Sequence, residues 1–213
     1  MSNASSDLRC CGKSKRADEF SYIRVLHAAP NSPAVNIYLN DELIVQNLAY
    51  SQYSLYIPLA PGDYSFKAYP VGQNENPIIN TTVIIPEKTV FNLAIIGTAP
   101  NLEVYPIPEP TTAQNFGRPC VRFINLSPNS PALDVTIQNG MKIFYNVGYK
   151  YISNYACTTS GTYIFKVSPT GTNNVIAATP PLQLVPNKYY SIYAIGLVDE
   201  SPALQAMTIP EPR

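Results

Sequence analysis

His27 is the single histidine among 213 residues, so any imidazole chemistry in this chain rests on it. A histidine acting as general base needs a nucleophile to activate and a group to orient it. The sequence has no Gly-x-Ser-x-Gly elbow and no second imidazole. His27 is therefore expected at a strand end, hydrogen-bonded to the Pro30-Asn31-Ser32-Pro33 turn that follows. The carboxylates Asp41, Glu42, Asp63, Asp199 and Glu200 stand as singles or adjacent pairs, without the spacing of a calcium loop. One histidine and scattered cysteines do not supply a zinc ligand set. Glycosidase carboxylates converge only in space, and no two acids stand out along the chain. There is no Gly-rich phosphate loop. These absences point to a protein that is not an enzyme and uses no cofactor and no metal. A hydrolase built on a convergent acidic pair is the least favoured reading.

Binding chemistry is better represented. The chain has 16 tyrosines and no tryptophan, giving aromatic surface whose hydroxyls can face water. Tyr50, Tyr53, Tyr56, Tyr64 and Tyr69 are echoed by Tyr149, Tyr151, Tyr155 and Tyr163. Strand alternation buries some of these. Exposed members in strands expected over 48–56 and 148–155 make a polar aromatic surface suited to sugar faces or protein contacts. Asn31 and Asn129 sit in matching Pro-Asn-Ser-Pro turns, where they cap backbone or are displayed to a ligand. The candidate binding set is Tyr50, Tyr53, Tyr56, Asn31, Tyr149, Tyr151, Tyr155 and Asn129. Arg24 and Arg122 fall within strands and are expected to pair with a carboxylate or with carbonyls beneath the turns.

The cysteines divide into two kinds. Cys10 and Cys11 are adjacent in a basic polar segment and lack metal-ligand spacing; they read as part of a flexible tail near a lipidation or processing point. Cys120 and Cys157 lie in strand-like surroundings. For them a disulfide and a pair of small buried thiols are both open, the thiols being preferred.

The elements that must position these residues come from a duplication. Arg24 through Ile37 returns as Arg122 through Val135, and Pro61-Gly62-Asp63-Tyr64-Ser65-Phe66-Lys67 returns as Ser160-Gly161-Thr162-Tyr163-Ile164-Phe165-Lys166. Both copies close on Ile-Pro-Glu-Pro, at 107–110 and 209–212. The expected organisation is a disordered leader over 1–20, one repeat over 21–110, a short stiff linker over 111–119, and a second repeat over 120–213. The linker is expected to limit the angle between the copies without fusing their cores. Val35, Ile37 and Leu39 alternate with polar residues, a period of two that marks a strand with one buried face. Asn40-Asp41 and Asn139-Gly140 are hairpin turn signals. Further strands are read over 63–69, 78–85, 89–96 and 102–107, and Tyr53, Leu55 and Ile57 suggest another. With 21 prolines and β-branched residues dominating the apolar runs, no window reads as a helix. The prolines also protect exposed strand edges. The fold class is all-β: two tandem β-sandwich domains of about seven to eight strands each.

The opening Arg24-Val25-Leu26-His27-Ala28-Ala29-Pro30-Asn31-Ser32-Pro33 and the later Leu59-Ala60-Pro61-Gly62-Asp63-Tyr64-Ser65-Phe66-Lys67 resemble a bacterial family of domains of unknown function, numbered four-three-nine-seven. The resemblance covers nearly all of both repeats. It implies a β-sandwich of immunoglobulin-like or transthyretin-like type and an address at or outside the cell envelope, and it implies no activity. Asn125 replaces the histidine in the second copy, which argues against an obligatory role for that imidazole.

Acids and bases balance at 14 each, which removes the electrostatic footprint of a nucleic-acid or anionic-membrane binder. No apolar run approaches the roughly 20 residues of a membrane span. Ser2-Asn3-Ala4 reads as the scar of a cleaved tag, so a native leader is expected to have preceded it. The functional expectation is a binding or adhesion-type module of the cell envelope that recognises a cell-wall polymer or a surface protein. The alternative is a self-assembling spacer or coat component of an envelope or spore layer.

Overall fold

The computed structural model describes residues 20–109 and 117–211. The leader and linker expected from sequence, with Cys10 and Cys11, lie largely outside the described residues. The chain is all-β, and no helix occurs among the described residues.

The first half is made of β1 (Ser21–His27), β2 (Val35–Leu39), β3 (Glu42–Leu48), β4 (Ile57–Leu59), β5 (Gly62–Pro70), β6 (Ile79–Ile85), β7 (Val90–Thr98) and β8 (Asn101–Glu109). Two four-stranded sheets, ordered β4-β1-β7-β8 and β3-β2-β5-β6, face each other across a core that includes Ile23, Val25, Ile37, Phe66, Val83 and Leu93. The second half repeats this with β9 (Cys120–Asn125), β10 (Leu133–Ile137), β11 (Lys142–Val147), β12 (Ala156–Cys157), β13 (Gly161–Tyr163), β14 (Phe165–Pro169), β15 (Ala177–Ala178), β16 (Leu182–Leu184), β17 (Tyr189–Ile195) and β18 (Gln205–Glu211). Its sheets are β12-β9-β17-β18 and β11-β10-β14-β15, with β13 and β16 as a separate pair. In each half the first strand runs parallel to the strand before the last, β1 beside β7 and β9 beside β17.

Local sequence explains the turns. Asn40 and Asp41 both take positive φ, 48° and 65°, as a two-residue hairpin with the sheet's twist requires. At Asn139-Gly140 only Gly140 is left-handed, with φ 86°, and the Asn139 side chain instead accepts from Met141 N at 3.0 Å. Gly97 and Gly196 hold matching sites in β7 and just after β17. A Cβ would stand 2.3 Å from Asn101 O at the first and 2.5 Å from Ala203 O at the second, so only glycine lets the chain turn there.

Three expectations need correction. Tyr53 does not belong to a strand: residues 49–56 are irregular apart from a single bridge between Tyr53 and Leu26, and 148–155 repeats this with Ile152 and Ile124. Cys120 and Cys157 are not free thiols. They are a disulfide joining directly opposed residues of β9 and β12. Finally, the two cores are not separate bodies on a linker. The strands β1, β7, β9 and β17 are buried on both faces: Ile23, Val25, Phe91 and Leu93 point to the first core, whereas Leu26, Ala28, Ala94 and Ile96 point away from it. That second face meets Ile124, Leu126, Tyr193, Ile195 and Ile209 of the other half in a third apolar cluster. The molecule is thus four sheets deep, with the copies packed through their β4-β1-β7-β8 and β12-β9-β17-β18 sheets.

Candidate functional site

The strands that form this third cluster also carry the chain's most concentrated polar chemistry. Arg24 on β1 and Arg122 on β9 are both buried and point into the interface between the copies. Arg24 donates through Nη2 to Glu211 Oε2 at 2.6 Å and through Nε to Asn92 Oδ1 at 2.9 Å. Arg122 pairs with Glu109 and donates through Nε to Ser191 Oγ at 2.8 Å. Each arginine therefore meets the glutamate of the other copy's Ile-Pro-Glu-Pro ending. Each also reaches the carbonyl of the proline before that glutamate, Pro210 for Arg24 at 3.4 Å and Pro108 for Arg122 at 2.7 Å. Tyr56 lies 4.7 Å from the Arg24 guanidinium and donates to Glu211 Oε2 at 3.1 Å. Tyr155 lies 5.0 Å from Arg122 and donates to Glu109 Oε2 at 3.2 Å.

The two halves of this network are linked across their centre. Asn92 Nδ2 donates to Glu109 Oε1 at 3.0 Å and to Tyr193 OH at 2.8 Å. The residue matching Tyr193 in the first copy is Ala94, so one large and one small side chain share the centre of the cluster. Burial works against charge on Arg24, but Glu211 and the surrounding phenols more than offset it and raise its pKa. Glu109 is pushed up to about 7, first by burial and then by repulsion from Glu211, against the opposing pull of Arg122. Two carboxylates do converge here. Each is engaged by an arginine and a tyrosine inside a packed interface, an arrangement that locks one copy to the other.

The candidate binding residues divide accordingly. Tyr56 and Tyr155 belong to the lock. Tyr50 and Tyr149 are half-buried against the third cluster. Asn31, with φ 58°, donates across the interface to Ser201 O at 2.9 Å. Asn129 holds the loop after β17, donating to Val198 O at 3.1 Å and accepting from Val198 N at 2.9 Å. Tyr53 and Tyr151 stand apart, 42% and 60% exposed. Tyr53 covers the Arg24 guanidinium at 5.2 Å, and Leu55, two residues on, is 87% exposed. Lys150 next to Tyr151 is tied across the interface by Glu103 at 2.5 Å, and its carbonyl accepts from Tyr105 OH at 2.5 Å. The irregular segments 49–56 and 148–155 thus run along the two seams where the copies meet, each presenting one open tyrosine.

His27 is fully buried, with Nε2 3.1 Å from Pro33 O at the end of its turn, as its position suggested. Burial lowers its pKa despite that contact. Asn125, its counterpart, bonds Ser130 Oγ and Val147 O, so the two copies secure the same turn by different side chains. Among the described residues no three His, Cys, Asp or Glu side chains gather to hold a metal ion, and no helix is long and apolar enough to cross a membrane.

Reading the sequence did not find Glu109, Glu211, Asn92 or Tyr193. The signal was nonetheless present. Strands β7 and β17 are near-continuous apolar runs, the mark of strands buried on both faces, and the repeated Glu lies in the shared closing motif.

The sequence matches the family described as "Domain of unknown function (DUF4397)" over residues 21–136 and again over 128–212. None of the curated proteins matches the chain. Among solved structures, it is similar to the Bacillus anthracis TIE protein at 14% identity and a TM-score of 0.27, covering 84% of this chain and 33% of that one. The chain therefore spans about a third of that protein's length. It is also similar to a family CBM26 module from Eubacterium rectale solved with maltoheptaose, at 12% identity and a TM-score of 0.27, covering 90% and 96% of the two chains. A streptococcal virulence factor described by its alpha-glucan binding gives 14% identity and a TM-score of 0.27, covering 87% and 96%.

Proposed function

We propose, for a chain that belongs to the DUF4397 family and carries its domain twice, that it is a non-enzymatic binding module of the bacterial cell envelope. Its ligand is a wall polymer or a surface protein, gripped at the two seams through Tyr53 and Tyr151. The domain limits we infer for the two copies remain 21–110 and 120–213. The observation that carries this reading is that each of the two corresponding seam segments presents one open tyrosine, Tyr53 in the first and Tyr151 at the position of Gln52 in the second, on a molecule whose halves are locked together. Two aromatic contacts held on one rigid body engage a ligand at two points, and the second contact forms at a high effective concentration. Tyrosine offers a broad face with little rotamer entropy to lose.

Two further features support the reading. Among the described residues, the ionisable side chains that converge most closely are engaged with one another inside the interface. The Cys120–Cys157 disulfide suits an oxidising compartment, where such bonds persist.

The test is co-sedimentation of the purified protein with isolated cell-wall sacculi, before and after secondary polymers and proteins are stripped away. Protein in the pellet is the expected result, and the stripping series then names the ligand class. Protein left in the supernatant throughout overturns the proposal.

A further inference from the structure

Every sheet leaves two edges, and a strand there presents unpaired N–H and C=O groups to any other chain. Most edges of this protein are blunted. β8 carries Pro106 and Pro108, β18 carries Pro210, and β4 is three residues long with Pro58 at its centre. β12 has two residues. β3 and β11 are broken in register, with Asn47 and Asn146 at positive φ.

β6 is the exception. It runs seven residues, Ile79–Ile85, with no proline, no charge and no register shift against β5. Asn80, Thr81, Thr82 and Ile84 are exposed, Ile84 at 70%. β6 pairs with β5 alone among the described strands. The matching edge of the second copy lacks this character: Pro180-Pro181 splits it into β15 and β16. The first copy keeps an open edge where the second has closed its own.

We propose that β6 is the interface for a second copy of this chain, paired antiparallel across a two-fold axis at Thr82. Full overlap of the seven residues fixes this register. It sets Ile79 against Ile85 and Thr81 against Val83 on the core side, with Asn80 against Ile84 and Thr82 against itself outside. No like charges meet within the strand. Beyond its ends, Lys88 of one copy approaches Asn76 and Glu75 of the other, while Glu87 faces Pro77, so the flanking charges are complementary at Lys88 and Glu75. Two four-stranded sheets become one of eight. The assembly stops at a dimer because each chain has one such edge among the described strands and a two-fold contact consumes both. This interface is independent of the seam tyrosines.

Sedimentation velocity of the full chain across a wide concentration range tests the inference. A reversible monomer–dimer equilibrium is expected, and Thr82→Lys, which sets like charges against each other at the axis, is expected to abolish the dimer with circular dichroism and Tm retained. Thr82→Cys in a Cys10→Ser, Cys11→Ser background gives a second readout. Directly opposed strand residues lie about 4.5–5.5 Å apart at Cα, within disulfide reach, so a reducible covalent dimer is expected. A wild-type chain that stays monomeric at every concentration overturns the proposal. So does a dimer that survives Thr82→Lys, or a Thr82→Cys chain that gives no covalent dimer.

Discussion

Arg24 and Glu211 stand 187 residues apart in the chain and 2.6 Å apart in space, both almost wholly buried. Arg122 and Glu109 form the reciprocal pair. Buried ion pairs contribute little net stability relative to well-packed apolar residues, because desolvation offsets their attraction. What they supply here is register. An apolar cluster alone permits sliding of one sheet over the other, whereas two reciprocal charge pairs are satisfied in one arrangement.

Removing one partner strands the other in the interior. Arg24→Ala is expected to destabilise the protein by about 3–5 kcal/mol, seen as a lower midpoint in urea. The double substitution Arg24→Met with Glu211→Leu is expected to recover most of that loss. A double mutant as unstable as Arg24→Ala would show that packing, not the stranded charge, sets the cost.

Glu109 gives the protein a pH dependence of definite sign. Its folded pKa is raised from the ordinary 4.5 to about 7, by burial first and by Glu211 second. Between these values the unfolded chain has released its proton and the folded chain still holds it. This contribution to stability is therefore full below about 4.5 and lost as pH rises through about 7. The expected loss is on the order of 3 kcal/mol, measured as unfolding free energy at several pH values. Glu109→Gln should flatten the slope, and an unchanged slope would assign it to another group.

The disulfide closes a loop with a sequence separation of 37 residues. Reduction, or Cys120→Ala with Cys157→Ala, is expected to cost about 2–4 kcal/mol. Thermal unfolding with and without reductant measures this, and a Tm unmoved by reductant would contradict it.

Tyr151→Ala is expected to weaken sacculus binding by about 5–30-fold, the loss of a central aromatic contact, with stability changed by less than about 0.5 kcal/mol. Tyr53→Ala should weaken binding similarly and also remove the ring over Arg24, costing about 0.5–1 kcal/mol in addition. Pelleting isotherms beside urea curves separate the two effects. Wild-type affinity in both variants would move the binding surface elsewhere.

Much of this molecule is legible in its chain. The duplication of Arg24 through Ile37, the alternation of Val35, Ile37 and Leu39, and the turn chemistry of Asn40-Asp41 each act over a few residues, so strand identity and the β-sandwich fold follow from them. The alternation of Tyr53, Leu55 and Ile57 misled because period-two spacing describes which side chains share a face, and only hydrogen bonds to a neighbour make a strand. Residues 49–56 bond β1 through the backbone of Ser51, Gln52 and Ser54, yet this completes a single bridge, Tyr53 to Leu26, and no continuous ladder.

The site depended on tertiary structure for a different reason. Nothing local to Arg24 distinguishes Glu211 from the other carboxylates, since a charge is satisfied by whatever the fold delivers to it. Cys120 and Cys157 read as thiols or as a bond until β9 and β12 set them opposite each other. The sequence by itself determined two copies of one β-sandwich unit, because that information is short-range and written twice. Only the packing of sheet on sheet decided that the copies share a core, which tyrosines the lock consumes, and that Tyr53 and Tyr151 stay open. Those outcomes depend on surfaces meeting across separations that run from 13 residues for Arg122 and Glu109 to 187 for Arg24 and Glu211, and no spacing along the chain encodes that meeting.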